Sequence, residues 1–348
     1  MEQPAALQAP MSPIDALRRV CFLLERGRES SYRIDAFRRT IEAITLVGDD
    51  ELRERVEAGT LKQIKGVGDS SAAIIGQAVL GVVPAYLTTV EEKHGEPLTR
   101  DGAELYAALR GDLHAHSNWS DGGSPIEEMV LAAVTLGQEW LALTDHSPRL
   151  KVANGLSRER LTDQLARVDA INASLGDSFR LLKGIEVDIN LDGSLDQEDD
   201  MLDRLEVVTA SVHSKLRQPA FEMTPRMLAA VRNPRTNVLG HCTGQLVTGG
   251  RGTRPQSQFD AEKVFTACLE NDVAVEINSR PERCDPPDEL IEIARDLGCL
   301  FTIDSDAHAP GQLDMKSLGC ARAEQHGIPA ERIVTTWPLD DVLTWARG

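Results

Sequence analysis

From Gly111 onward, short β-rich apolar runs alternate with stretches of helical spacing, and most of the runs lead directly into a histidine or an acid. Strands are expected near Asp112 to Ala115, Trp140 to Thr144, Leu181 to Val187, Val207 to Val212, Asn237 to Leu239, Val273 to Ile277 and Leu300 to Ile303. Such alternation requires parallel strands joined by helices and predicts the α/β class, as a closed β/α barrel of seven strands. His114 and His116 sit in the first run, His146 follows the second, Glu186 lies in the third, His213 follows the fourth, and His241 the fifth. Asp306 and His308 follow the seventh. Six of the eight histidines thus fall at or just beyond a strand's C-terminal end, the face on which barrel enzymes build their sites. Unrelated core histidines have no reason to prefer one end. His94 and His326 stand outside the pattern and are expected at the surface.

In an extended segment, His114 and His116 leave the same side of the chain and can meet one ion, with Asp121 returning across a loop rich in Ser, Asn and Gly. An isolated HxH pair is equally compatible with hydrogen-bonded core histidines, so the register of the later strands favours the metal reading. Asp145 and Asp304 are expected behind the ligands, orienting imidazoles. Asp188 to Asp199 approaches an EF-hand loop, but a strand precedes it instead of a helix, which points to a turn beside the barrel mouth.

Upstream, a disordered start is expected, and Ile14 to Leu24 and Ile34 to Ile44 carry apolar residues at helical spacing, so a helical bundle is expected over residues 1–95. Within it Gly66, Val67 and Gly68 form a tight turn ahead of a second short helix that Ser70 or Ser71 could cap. Such a turn exposes backbone N–H groups at a helix N-terminus, which suits a nucleic-acid phosphate and makes Gly66, Val67, Gly68 and Ser70 candidate DNA contacts. The segment resembles a helix-hairpin-helix motif, although an ordinary αα-turn would also hold two glycines. Residues 96–110 read as a linker.

The formal net charge of -18 argues against broad attraction to nucleic acid, yet seven arginines between Arg18 and Arg39 run against it, as a local basic face or a solvated helix surface. No run of about 18 apolar residues occurs, and Met1 to Pro13 lacks the features of a signal peptide. Six cysteines without a CxxC pair fit free thiols, so a cytoplasmic protein with no membrane association is expected.

The region from Ile14 to about Gly95 is similar to the small N-terminal domain of family X DNA polymerases. Where lyase-active relatives carry their Schiff-base lysine this chain has Ile74, and Ser70 replaces a second lysine at the 5′-phosphate pocket, so lyase chemistry is not implied. No space remains before Gly111 for a polymerase palm. The HxH with a downstream Asp, then TDHS, GxE, SVHS, GHxT and DxDAH, in this order over residues 111–348, resemble the PHP (polymerase and histidinol phosphatase) superfamily. That resemblance implies a distorted (β/α)7 barrel holding three divalent ions. By motif, His114, His116, Glu186 and Asp306 would hold the first, Glu186 would bridge to a second on His213 and His241, and Asp121, His146 and His308 would hold the third. Mixed His and carboxylate ligation suits zinc, manganese or iron.

Clustered divalent ions acidify bound water, supply hydroxide as the nucleophile at neutral pH and clamp phosphoryl oxygens, so the implied reaction is phosphoester hydrolysis. Lys215, Arg217 and Arg280 are the candidates to hold phosphate oxygens, with Arg283, Arg149 and Lys151 of similar standing; ordinary loop charge is the alternative for each. DNA ends are the expected substrate, through a 3′-5′ exonuclease or 3′-phosphatase activity in repair, and a small phosphoester such as histidinol phosphate is the alternative.

Overall fold

The computed structural model describes residues 10–250 and 252–348, and the chain divides into two compact units, residues 1–97 and 98–348. The first is all helical among its described residues: α1 (Pro13–Arg26), α2 (Ser31–Thr45), α3 (Asp49–Glu57), α4 (Asp69–Val79) and α5 (Ala85–His94). Pro13 opens α1 with its ring-fixed φ, and the Asp15 N–H donates to Ser12 Oγ at 3.0 Å, so the first turn is capped from the sequence. Leu17, Val20, Leu23 and Leu24 then fall on one side and pack with Ile34, Phe37, Ile44, Ile74, Ile75 and Leu87. Each such buried side chain contributes about 1.5–3 kcal/mol. Ile74, at the position of the absent lysine, is fully buried in this core.

The second unit starts earlier than the expected boundary. Within residues 96–110, α6 (Ala103–Ala108) packs against α13 (Lys316–Gln325), where the Gly102 N–H donates to Glu324 Oε2 at 2.7 Å and Tyr106 Oη bonds to Asp314. The expected linker is therefore, from Leu98 on, part of the larger body.

Six parallel strands follow in sheet order: β1 (Trp140–Leu143), β2 (Arg180–Asp188), β3 (Val207–Ser211), β4 (Val238–Leu239), β5 (Ala274–Asn278) and β6 (Phe301–Asp304). The connecting and flanking helices are α7 (Ile126–Thr135), α8 (Arg158–Leu175), α9 (Asp199–Leu202), α10 (Ala220–Val231), α11 (Ala261–Glu270), α12 (Asp288–Leu297) and, at the end, α14 (Leu339–Arg347). The first of the seven expected strands, Asp112 to Ala115, does not form a regular ladder. Ala115 makes isolated parallel bridges to Leu143 on one side and Ala307 on the other, so this segment stands between the first and last strands of the sheet. Side chains do much of the joining there: Asp304 Oδ1 accepts the Leu113 N–H at 2.7 Å, and Asp112 Oδ1 accepts the Ser305 N–H at 3.2 Å. The ammonium of Lys316, almost fully buried, donates to Gly111 O at 2.9 Å and lies 3.7 Å from Asp112 Oδ2.

Strand periodicity sorts the side chains. Along β5, Val275 and Ile277 face the outer apolar layer, whereas Ala274 joins an inner cluster with Leu113, Trp140, Leu182, Val207 and Val238. Moving along the same inward row, apolar residues give way to polar ones: Ala274, then Glu276, then Asn278. On β2 the corresponding row runs Leu182, Gly184, Glu186, Asp188. Gly184 marks the point where β2 leaves β1 and begins to pair with β3; a Cβ there would lie 2.8 Å from Leu143 O and 2.9 Å from Thr144 Cγ2. The inside of the sheet is thus dry at the strands' N-terminal end and ionisable at the other. No helix among the described residues is long and apolar enough to cross a membrane.

Candidate metal centre

The polar end of the inward rows converges on one carboxylate. Glu186, on β2, is fully buried and receives five imidazoles: His146 Nδ1 and His241 Nε2 at 2.8 Å, His213 Nε2 at 3.2 Å, His114 Nε2 at 3.4 Å and His116 Nε2 at 3.6 Å. Beside it, Asp121 Oδ1 lies 3.4 Å from His146 Nε2 and 3.3 Å from His308 Nε2, while Asp306 Oδ1 lies 3.5 Å from His116 Nε2. All nine residues expected as ligands therefore stand around one locus. Each arrives from a strand end, from the segment between the sheet edges or, for Asp121, from the loop that follows that segment.

Close approach is not hydrogen bonding here. Both Glu186 oxygens, His114 Nε2, both nitrogens of His116, and the Nδ1 atoms of His146, His213 and His241 are buried without a hydrogen-bond partner. A buried polar group left unpaired costs about 1–3 kcal/mol, and so dense a collection of them is the arrangement expected when cations complete the site. Three groups have donor atoms close enough to share an ion: His116, Asp121, His146 and His308; His114, His116 and Glu186; and His146, Glu186 and His213. His116 and His146 each belong to two groups, which departs from the one-ion assignment that the sequence motifs imply. Borderline nitrogen and hard oxygen donors together suit a divalent transition metal.

The charges are mutually arranged. Burial disfavours ionised Glu186, but the surrounding His213, His114 and His146 outweigh it and hold its pKa well below the usual carboxylate range. Burial likewise opposes charge on His114, where Glu276 and Glu186 prevail and raise its pKa well above the ordinary value. His116 goes the other way, because burial is reinforced by His308 and His146. Asp306 is buried but held low by Arg280 and His116.

Residues 112–280 match the family model described as PHP domain. This chain carries a PHP domain. Among curated relatives, the DNA polymerase/3'-5' exonuclease PolX of Bacillus subtilis (strain 168) is 37% identical over 239 residues, covering 69% of this chain and 41% of that protein. The present chain thus spans less than half the length of that relative. A probable phosphatase of Aliivibrio fischeri (strain ATCC 700601 / ES114) is 28% identical over 242 residues, covering 65% of this chain and 88% of that protein. The histidinol phosphate phosphatase of Lactococcus lactis subsp. lactis Il1403, solved with zinc, L-histidinol and phosphate, aligns with a TM-score of 0.49 at 20% identity, covering 64% of this chain and 95% of that one.

Around the PHP centre, the phosphate-binding candidates divide. Arg280 Nη1 lies 3.3 Å from His308 Nδ1 and 3.7 Å from Asp306 Oδ1, and Arg283 Nε lies 3.2 Å from Asp306 Oδ2. Lys215 and Arg217 are exposed on the loop after β3, and Arg149 is engaged with Asn190 at 2.8 Å. The EF-hand-like stretch is a turn: Asp192 accepts from Ser194, Asp196 accepts the Arg149 N–H, and these acids join no potential metal group among the described residues.

Two expectations for the supporting acids are corrected. Asp145 touches no imidazole; it accepts the Ser117 N–H at 2.8 Å, Ser117 Oγ at 2.6 Å, Ser120 Oγ at 2.5 Å and Gln164 Nε2 at 2.6 Å. As the residue next to His146 on an extended chain, it points to the opposite side and anchors the loop that carries Asp121. Asp304 lies one layer below Asp306 and is spent on the Leu113 N–H. The acids that do meet imidazoles are Glu276, 2.5 Å from His114 Nδ1, and Asp188, 3.6 Å from His213 Nδ1. His326, expected at the surface, is buried near Asp288 at 3.3 Å.

In the N-terminal unit, Gly66 adopts φ 100, Val67 is buried and Gly68 precedes α4. Ser71, not Ser70, makes the cap, accepting the Gly68 N–H at 3.0 Å; Ser70 is exposed. Asp69 pairs with Lys62 at 2.7 Å in the first turn of α4. The arginine-rich stretch is largely engaged: Arg19 with Glu91 at 2.5 Å, Arg38 with Glu25 at 2.6 Å, Arg33 with Glu29, Arg18 with Asp15, and Arg26 with the His94 and Glu96 carbonyls. These pairings leave less free positive charge than the sequence count suggests.

Proposed function

We propose that this chain is a metal-dependent phosphoesterase that hydrolyses DNA ends, as a 3′-5′ exonuclease or 3′-phosphatase in repair in the cytoplasm. The observation that carries the reading is the convergence of five imidazoles on Glu186, with ring nitrogens and carboxylate oxygens left without hydrogen bonds. Three divalent ions, zinc, manganese or iron, would be held by His114, His116, Asp121, His146, Glu186, His213, His241, Asp306 and His308. What such ions supply is Lewis acidity toward a phosphoryl group and acidified water at neutral pH. The chain's own residues do the rest. Arg280 and Arg283, beside Asp306, offer guanidinium groups to non-bridging phosphate oxygens, and Lys215 and Arg217 supply charge on the loop after His213. The Gly66–Gly68 turn, with Val67 buried beneath it and Ser70 exposed beside it, would hold a backbone phosphate at the N-terminus of α4. Similarity to a polymerase/3'-5' exonuclease supports DNA as the substrate.

A small phosphoester is the second reading. It is favoured by the likeness to probable phosphatases across 88% of their length, and by the neutralised arginines of the N-terminal unit. The deciding experiment compares oligonucleotides ending in 3′-hydroxyl or 3′-phosphate with histidinol phosphate, each across zinc, manganese and iron. Release of mononucleotide or 3′-phosphate with a much larger kcat/KM than for histidinol phosphate supports DNA ends. The opposite order replaces that reading, and no hydrolysis with any metal removes both.

A further inference from the structure

Strand β5 contributes none of the nine expected ligands, yet two of its inward side chains reach three of them. Glu276, fully buried, places Oε1 2.5 Å from His114 Nδ1, while its Oε2 accepts the His241 N–H at 2.5 Å. Asn278, two residues on and on the same face, donates from Nδ2 to Glu276 Oε2 at 3.2 Å and to Asp306 Oδ2 at 3.1 Å. His241 and Asp306 are among the few residues other than glycine with positive φ, at 20 and 49. L-residues hold such conformations only when their surroundings impose them. Gly240 permits the approach, since a Cβ there would lie 2.4 Å from Ser211 Oγ.

We propose that Glu276, assisted by Asn278, is the positioning residue of the metal centre: it orients the His114 ring through Nδ1, so that Nε2 faces the site, and it fixes the backbone of His241. The His241 amide can only donate, so Glu276 Oε2 must accept it. Oε1 is then free to accept from His114 Nδ1, which keeps a proton on that nitrogen and makes Nε2, directed at Glu186 3.4 Å away, the atom an ion would take. A glutamine has a single acceptor oxygen. With that oxygen committed to His241, its NH2 group faces His114 Nδ1 and drives the ring proton to Nε2, the atom that must bind metal. The polar groups and their volume are otherwise preserved.

This inference rests on the metal-centre reading, and the two fail differently. The test uses full-length wild type, Glu276→Gln and Asn278→Ala, with zinc affinity measured by competition against a chromophoric chelator. The position of the His114 ring proton in the zinc-bound protein is read from ring ¹⁵N shifts, and thermal midpoints are taken on the same samples. Expected are a zinc-bound wild type whose His114 keeps its proton on Nδ1 with Nε2 on the ion, loss of that pattern in Glu276→Gln, and a zinc affinity about 10–100-fold weaker in Glu276→Gln with a smaller loss in Asn278→Ala. Wild type that binds no zinc overturns the metal-centre reading itself. Wild type that binds, alongside Glu276→Gln with unchanged tautomer or unchanged affinity, overturns only the role of Glu276. A Glu276→Gln chain that does not fold also overturns it, because a positioning residue replaced by its isostere must leave the fold intact.

Discussion

Asp145 gives the sharpest test of how the Asp121 loop is held. Its two oxygens accept four hydrogen bonds, from the Ser117 amide, the Ser117 and Ser120 hydroxyls and Gln164, all between 2.5 and 2.8 Å. Burial pushes its pKa up while the Ser117 and Ser120 bonds pull the other way. Asp145→Ala removes every acceptor at once. The two hydroxyls can turn elsewhere, but the Ser117 amide and the Gln164 amide are left buried and unpaired, at about 1–3 kcal/mol each, for a loss of about 4 kcal/mol. Asp145→Asn keeps one oxygen for the Ser117 amide and Ser120, its new NH2 can donate to the Ser117 hydroxyl, and a flipped Gln164 can accept, so it should cost about 1 kcal/mol. Urea unfolding of the metal-stripped variants measures the difference. Because the anchored loop delivers Asp121 to His146 and His308, Asp145→Ala should also weaken metal retention about 10–100-fold in dialysis against chelator. An Ala variant within about 1 kcal/mol of the Asn variant, with normal metal content, would refute the reasoning.

Other substitutions probe the hub, the hairpin and the protons. Glu186→Gln withdraws the carboxylate faced by five imidazoles and should lower kcat/KM by more than about 100-fold at any metal concentration; steady-state rates within about tenfold of wild type would contradict its central place. Ser70→Glu adds negative charge at the N-terminus of α4, which the helix tolerates but a phosphate does not. It should raise KM for an oligonucleotide several-fold and leave an aryl phosphate untouched, and equal effects on both would remove the hairpin from DNA binding. Burial opposes charge on His146, but Glu186 and Asp121 outweigh it and push its pKa up to about 10. The metal-free protein therefore carries a proton there at pH 7 that an incoming cation displaces, so zinc affinity should climb with pH, and calorimetry in buffers of different ionisation enthalpy should show proton release. For the metal-free fold the sign reverses: this ring's stabilisation is full below about pH 6.5 and is lost as pH rises toward 10.

The strands were legible because the outward rows are apolar with period two, as Val275 and Ile277 illustrate, and because ligands at strand ends share one register. The Asp112–Ala115 segment misled: its composition reads as a strand, but aspartate side chains take over what a ladder would do. Glu276 and Asn278 were overlooked since their strand carries no histidine. Their signal was nonetheless present, as polar residues at alternate positions of a run otherwise fit for the core. Asp145 was misassigned through adjacency to His146, which in extended chain guarantees the opposite face. Ion pairs such as Arg19 with Glu91 join residues 72 positions apart, and no local pattern announces them.

The aspartate-joined segment beside Leu113 also sets an order of events. His114 and His116 emerge early in synthesis, but the Leu113 amide finds its acceptor 191 residues later, at Asp304. Until the final strand is made, the segment carrying the paired imidazoles is held from one side only, through the bridge of Ala115 to Leu143. A nascent or truncated chain ending before Phe301 lacks Asp306 and His308 and the anchor at Asp304, so it should bind zinc more weakly than the whole chain; equal affinity in such a fragment would disprove this dependence.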